Sequence, residues 1–203
     1  MRLFVTGIGT EVGKTIISAI LVEALEADYW KPVQAGDLDC SDTIKVQNLI
    51  SNSKSIFHPE INALNHPMSP HAAAERDGVE IQLEDFTAPD TSNHLVIEGA
   101  GGLKVPLNSK DCVIDLIEQL ESEVVLVSRN YLGSINHTLL SIEALQNREL
   151  TIKGIIFNDA ENKDTESVIL EMSGLKFLGR VELEDEINKG VISRYAEHFK
   201  GVL

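Results

Sequence analysis

The stretch that decides the fold is Thr6-Gly7-Ile8-Gly9-Thr10-Glu11-Val12-Gly13-Lys14-Thr15. Leu3, Phe4 and Val5 precede it as an apolar strand, and Ile16-Ile17-Ser18-Ala19-Ile20-Leu21 follows as a helix. A strand, a glycine turn and a helix opening on Lys-Thr form the setting of a phosphate-binding loop. Successive backbone N–H groups and the positive end of the helix face the phosphate oxygens there. The usual spacing is G-x-x-x-x-G-K-[ST], which counts back from Gly13 to Ile8, whereas Gly7 stands one place early. A dinucleotide loop wants G-x-G-x-x-G; three residues separate Gly9 from Gly13, and Lys-Thr has no task there. The remaining alternative is a tight strand-to-helix turn that carries Gly-Lys-Thr by coincidence. In the phosphate loop, Lys14 would reach the β- and γ-phosphates and the Thr15 hydroxyl would ligate Mg²⁺.

Around this loop the composition sets limits. At 203 residues and 43% hydrophobic content, the chain is expected to form one domain, residues 1–203, around a substantial core. A formal net charge of -15 argues against a broad nucleic-acid or acidic-membrane surface. A polyphosphate bound here must therefore be held by local lysines, backbone N–H groups and a divalent cation against an unfavourable field. Cys40 and Cys112 form neither a CxxC nor a Cys/His spacing and read as reduced thiols. The opening run is too short for a secretory leader, and no stretch approaches the ~20 apolar residues of a membrane span. A soluble, cytoplasmic protein is the expectation.

Short apolar runs at 3–6, 29–33, 95–98, 124–128, 154–158 and 177–181 alternate with helical patterns at 14–26, 42–50, 69–76, 113–121, 135–147 and 165–173. A last, polar helix is expected over 184–200 and an irregular stretch over 51–67. This alternation predicts a three-layer α/β fold of P-loop NTPase type: a mostly parallel sheet with helices on both faces. Gly7, Lys31, Glu98, Ser128-Arg129-Asn130 and Asn158-Asp159 fall at or near the ends of apolar runs. In an open parallel sheet those carboxyl ends line one edge, where ligands bind.

Three candidates join the loop at that edge. Lys31 lies late in a buried-looking strand, so its ammonium either faces the ligand, pairs with a carboxylate, or snorkels from an edge. Asp42 is either a site carboxylate or the cap of the helix that follows. Glu98, closing His94-Leu95-Val96-Ile97-Glu98, suits Mg²⁺, a hard cation that prefers oxygen ligands. Ser69-Pro70 reads as a helix start with proline at the first helical position.

The loop, Lys31-Pro32-Val33-Gln34-Ala35-Gly36, Ser41-Asp42, Ser69-Pro70-His71, Val96-Ile97-Glu98-Gly99-Ala100-Gly101-Gly102 and Leu132-Gly133-Ser134-Ile135-Asn136-His137 together resemble the dethiobiotin synthetases. The resemblance runs in order from residue 3 to about 181. It implies an ATP- and Mg²⁺-dependent cyclo-ligase of biotin synthesis. In that chemistry 7,8-diaminononanoate takes up CO₂ as a carbamate, the carbamate attacks the γ-phosphate of ATP, and a carbamic–phosphoric anhydride forms. The second amine then closes the cyclic urea and expels phosphate. By matching position, the resemblance makes Lys14, Lys31 and Thr10 catalytic. It places Gly9, Thr10, Glu11, Val12, Gly13, Lys14, Thr15 and Asn158 on the nucleotide, with Asn158 reading the adenine edge. Thr15, Asp42 and Glu98 would hold Mg²⁺. The substrate would lie across a homodimer interface, touched by Lys31, Gly101, Gly102, Leu103 and Val105 of one subunit and by Leu132, Gly133 and Asn136 of the other. Ser134 reads equally as a helix cap and His137 as a first-turn residue, while His71 reads as structural. Two positions depart from the family pattern: Ala35 replaces a Ser or Thr, and Glu182 replaces a proline near the base.

The rival of another class is a regulatory or partitioning ATPase switch, whose loop carries a signature lysine where this chain has Gly9. A GTPase would want Asn-Lys-x-Asp where this chain has Asn158-Asp159-Ala160-Glu161. A cobyrinate-type amide ligase would need an ammonia-supplying partner or an added glutaminase domain, and 203 residues leave no room for the latter.

Overall fold

The computed structural model describes residues 1–203. In chain order its elements are β1 (Arg2–Gly7), α1 (Lys14–Leu25), β2 (Asp28–Trp30), β3 (Val33–Ala35), α2 (Asp42–Leu49), β4 (Phe57–His58), β5 (Asn62–Leu64), α3 (Pro70–Asp77), β6 (Leu95–Gly102), α4 (Val113–Gln119), β7 (Glu123–Arg129), α5 (Ser134–Gln146), β8 (Ile152–Asn158), α6 (Lys163–Ser173), β9 (Phe177–Val181) and α7 (Lys189–Phe199). Seven strands pair in the order β4-β2-β6-β1-β7-β8-β9, all parallel, and β3 pairs with β5 in a separate ribbon.

Side-chain alternation divides the core. Leu3, Val5, Val96, Val125 and Val127 pack with α1, α2 and α7 on one face. Phe4, Leu95, Ile97 and Val124 pack with α3 and α4 on the other, where Leu126, Ile155 and Phe157 meet α5 and α6. Because both faces are covered, the central strands are apolar on both sides, as a buried parallel sheet requires. No helix is long and apolar enough to cross a membrane, and Cys40 and Cys112 are free thiols.

The expected strand at 29–33 is interrupted. Pro32 has no N–H to give a ladder, and its carbonyl accepts from Ile61 N (2.9 Å) and Asn62 N (3.1 Å). The chain therefore leaves the main sheet at Lys31-Pro32, and β3 pairs with β5 instead. The irregular stretch at 51–67 supplies both partners, β4 at the sheet edge and β5 in the ribbon. The last helix begins only at Lys189, after Asn188 accepts a hydrogen bond from Val191 N (3.2 Å). Pro70 takes the first helical position of α3 as expected, but Ser69 makes no side-chain cap bond. At α5 the cap is Gly133, in the left-handed region at φ 100°, not Ser134.

Candidate active site

The loop after β1 is shaped by two close approaches. A Cβ on Gly7 would stand 2.4 Å from Val12 Cγ2 and 3.0 Å from the Gly9 carbonyl oxygen. Glycine at position 7 thus lets the loop fold back and seat Val12 in the core, where it is 2% exposed. Gly13 has φ +94°, and a Cβ there would meet Asn158 Nδ2 at 2.2 Å. That same Nδ2 donates to the Val12 carbonyl (3.0 Å), so Asn158 braces the loop from β8. Arg129 adds a second brace: it donates to the Glu11 carbonyl (3.3 Å) while pairing with Asp159 (2.7 Å).

Beside the loop lies a buried charge cluster. The α1 face of β6 carries Val96 and then Glu98, two residues on, which is 1% exposed. Glu98 Oε1 accepts from the Thr15 hydroxyl (2.9 Å) and from Lys31 Nζ (3.1 Å), and Oε2 accepts from the Tyr29 hydroxyl (2.9 Å). Lys31 Nζ also pairs with Asp42 Oδ2 (3.0 Å), whose other oxygen takes Lys45 Nζ (3.1 Å). Asp42 is free for this because the cap of α2 is Ser41, which accepts from Ile44 N (3.3 Å). Gln34 accepts from Asp42 N (3.2 Å) and donates to the Gly36 carbonyl (2.9 Å), tying the ribbon to the helix start.

Electrostatics follow from this packing. Burial alone would lower Lys31, but Glu98 and Asp42 reverse that and hold its ammonium above the ordinary lysine value. Burial lowers Lys14 to about 8; Glu98 opposes the shift and the neighbouring Lys31 adds to it. Lys14 Nζ meanwhile donates to the Gly9 carbonyl (3.0 Å). Burial, then Glu98, raise Tyr29 well above its ordinary value, so the phenol keeps its proton and donates.

This cluster closes one end of a cavity of about 860 Å³. Of the expected residues, Thr10, Glu11, Gly13, Lys14, Thr15, Lys31, Asp42, Glu98, Gly101 and Val105 line it. Gly9 and Val12 support it from behind, through a carbonyl each. Leu103 does not reach it: its side chain is 4% exposed in the core beside α4. Gly102 packs under Gly7 and Gly9, where a Cβ would stand 3.2 Å from the Gly7 carbonyl oxygen. Leu132, Gly133 and Asn136 stand exposed at the start of α5, outside the cavity of a single chain. His137 is exposed there too, bonded through Nδ1 to the Tyr131 hydroxyl (2.7 Å). His71 is absent from the cavity lining. The sequence reading missed Tyr29, Gln34 and Lys45, and also the far wall formed by Pro67 and Met68. For Tyr29 the signal was its place two residues before Lys31, hence on the same face of the strand.

Thr15, Asp42 and Glu98 offer a hydroxyl and two carboxylates. That all-oxygen set suits a hard divalent cation such as Mg²⁺, which generally binds through one or two carboxylates together with waters and substrate phosphates. The chain has no group of three His, Cys, Asp or Glu side chains that would make a complete protein cage.

A glycine loop at the carboxyl end of β1, a lysine and threonine at the helix start and an acidic residue on the neighbouring strand define a P-loop nucleotide-binding protein. The model of a family described as "AAA domain" matches residues 1–190. Among solved structures, a ParA family ATPase from Chlorobium tepidum superposes with a TM-score of 0.56 at 15% identity, covering 97% of this chain and 99% of that one. The cell division ATPase MinD of Pyrococcus furiosus gives 0.60 at 13% identity, covering 100% and 99%. At such identities the likeness is one of fold. Sequence relatives are closer: the ATP-dependent dethiobiotin synthetase of Christiangramia forsetii is 56% identical over 197 residues, 97% of this chain and 95% of its own length. Those of Cytophaga hutchinsonii and Chlamydia pneumoniae are 52% and 44% identical, covering 96% and 99% of this chain and 95% and 90% of their own lengths. The chain belongs to the ATP-dependent dethiobiotin synthetase family.

Proposed function

We propose that this chain closes the ureido ring of dethiobiotin from 7,8-diaminononanoate and CO₂, releasing ADP and phosphate. The observation that carries the reading is the meeting of Lys14, Lys31, Thr15, Asp42 and Glu98 at one end of the 860 Å³ cavity. That volume suits a nucleotide and a slender diamine laid end to end. The reaction asks for positioning and charge neutralisation more than covalent help. One diamine nitrogen carries CO₂ as a carbamate, and a carbamate oxygen displaces ADP from the γ-phosphorus. The other amine then attacks the carbonyl carbon of the mixed anhydride; the C–O bond to phosphate breaks and the amine proton is released.

Lys14 leaves the Gly9 carbonyl to hold the γ-phosphate, while Thr10, Glu11, Val12 and Gly13 present the loop to the phosphates. Lys31, kept charged by Glu98 and Asp42, offsets the negative charge of carbamate and transferring phosphoryl group. Thr15, Asp42 and Glu98 would hold Mg²⁺, which supplies charge neutralisation on the phosphate oxygens. Gly101 and Val105 border the diamine. Asn158 stands beside the loop for the base, with one amide proton already committed to Val12. Ala35 lines the wall without a hydroxyl, and Glu182 is held by Arg180 (3.0 Å). A homodimer in which Leu132, Gly133 and Asn136 complete the partner's site is supported by the exposed apolar row of Tyr131, Leu132, Ile135 and Leu140.

The test follows phosphate release from ATP with Mg²⁺, adding bicarbonate and 7,8-diaminononanoate separately and together. Release that requires both is expected. Release indifferent to the diamine would overturn the reading in favour of a switch ATPase.

A further inference from the structure

We propose that Tyr29 is a positioning residue that fixes the plane of the Glu98 carboxylate; this rests on the reading of Glu98 as a Mg²⁺ ligand. Strands β2 and β6 pair in register with Tyr29 opposite Val96. With side chains alternating, Tyr29 and Val96 share the α1 face, and Glu98 follows Val96 on it. The tyrosine ring therefore reaches along the strands, and its hydroxyl donates to Glu98 Oε2 at 2.9 Å.

The three contacts to this carboxylate are of different kinds. Thr15 and Lys31 both meet Oε1, and in the proposed reaction both have other work: the Thr15 hydroxyl on the metal, the Lys31 ammonium on the carbamate and γ-phosphate. Oε2 has Tyr29 alone. Tyr29 is 0% exposed, packed in the core and set against the Phe57 ring at 5.8 Å between centroids. A ring so enclosed cannot follow the ligand. When Thr15 and Lys31 turn to substrate, Tyr29 is the contact that stays, and it keeps Oε1 directed at the site. A hydrogen-bond partner behind a metal ligand orients it in this way, and losing one costs about 10–100-fold in metal affinity or activity.

The experiment uses the full chain with Tyr29→Phe, which keeps the ring and removes only the donor. Calorimetry measures binding of a non-hydrolysable ATP analogue with and without Mg²⁺, and turnover measures the Mg²⁺ concentration for half-maximal diamine-dependent phosphate release. We expect the Mg²⁺ requirement to rise about tenfold or more, with binding of the metal-free nucleotide unchanged. Phe57→Leu loosens the same packing without touching a polar atom and should leave the Mg²⁺ dependence as it is. An unchanged requirement in a folded Tyr29→Phe, or an equal shift in Phe57→Leu, would overturn the proposal. The calorimetric arm contains no diamine, so it reads Tyr29 even where wild-type turnover ignores the diamine and only the proposed reaction fails. Should Tyr29→Phe not fold, fluorotyrosine labelling of the wild-type chain gives three resonances, for Tyr29, Tyr131 and Tyr195. Tyr131→Phe and Tyr195→Phe assign the other two. The Tyr29 signal should move when Mg²⁺ is added to the analogue-loaded protein, and a stationary signal would overturn the proposal.

Discussion

Two buried carboxylates sit at opposite ends of the same sheet. Glu98, toward the carboxyl end of β6, is 1% exposed, and Asp28, at the start of β2, is 0% exposed. Asp28 accepts from Ile56 N (3.0 Å), the Thr91 hydroxyl (2.7 Å) and Asn93 Nδ2 (3.2 Å), with His58 Nε2 at 3.2 Å. Those partners tie the start of β2 to the segment entering β4 and to the loop before β6, and none of them lines the cavity beside Glu98. Glu98 instead shares its oxygens with a helix-start hydroxyl and a lysine ammonium that face an open cavity. Burial is therefore the same in both places; what separates a structural pin from a working group is whether its partners are exchangeable.

Five experiments press on this contrast, from the largest effect to the smallest. Lys14→Ala should abolish turnover, a loss beyond about 1,000-fold, while the melting temperature stays near that of wild type. Near-normal turnover would remove the phosphate-loop assignment. Next come the two carboxylates side by side. Glu98→Gln should lower kcat per folded molecule by more than about 100-fold, and it also takes from the buried Lys31 ammonium one of its two carboxylates. Asp28→Asn should leave kcat per folded molecule intact and cost about 2 kcal/mol of stability, or roughly 4–8 °C. A kcat defect in folded Asp28→Asn would erase the distinction between the two ends.

The acid limb adds a second reading of the same pair. Burial would raise Asp28, but its hydrogen bonds outweigh that and hold it below its ordinary value of 3.8. A depressed carboxylate stabilises the fold fully above that value, and the contribution is lost as pH falls below it. Asp28→Asn should flatten that part of the acid unfolding curve. On the alkaline side, Lys14 stands at about 8, and the negative charge of a phosphate beside it would raise that value. Nucleotide affinity should be level below pH 8 and fall up to about tenfold per unit above it, measured by calorimetry across pH 7 to 10. An affinity flat across that range would mean that Lys14 does not hold phosphate. The smallest effect belongs to Arg129→Ala, whose ion pair with Asp159 is half exposed: nucleotide affinity should weaken less than about fivefold.

Much of this was legible in the chain. Apolar runs bounded by glycine loops announced the parallel sheet, and Gly-Lys-Thr together with Glu98 pointed to the edge where the cavity lies, because their positions follow from local strand and loop patterns. Tertiary geometry hid the rest. Pro32 ends a strand that its flanking residues favour, so the ribbon of β3 and β5 could not be read from residues 29–33 or 51–67. Asp42, taken alone, reads as the cap of the helix, a role that Ser41 fills instead. Leu103 matched a substrate position by motif, yet its side chain turns into the core, since spacing does not say which way a residue after a strand points. Tyr29 read as core and is core; only the carboxylate across the strand gives it a second task.

The break at Lys31-Pro32 also divides the walls of the cavity between two sheets. Gly13, Lys14, Thr15 and Glu98 are carried by β1, the helix after it and β6, whereas Val33, Ala35, Pro67 and Met68 wall the cavity from the ribbon and the loop beyond it. The two walls are thus carried by separate stretches of chain, joined at Lys31-Pro32 and tied again where Asp42 N donates to Gln34. A substitution at Val33, Ala35, Pro67 or Met68 would therefore change one wall of the cavity without touching the loop at Gly13, Lys14 and Thr15 or the carboxylate of Glu98.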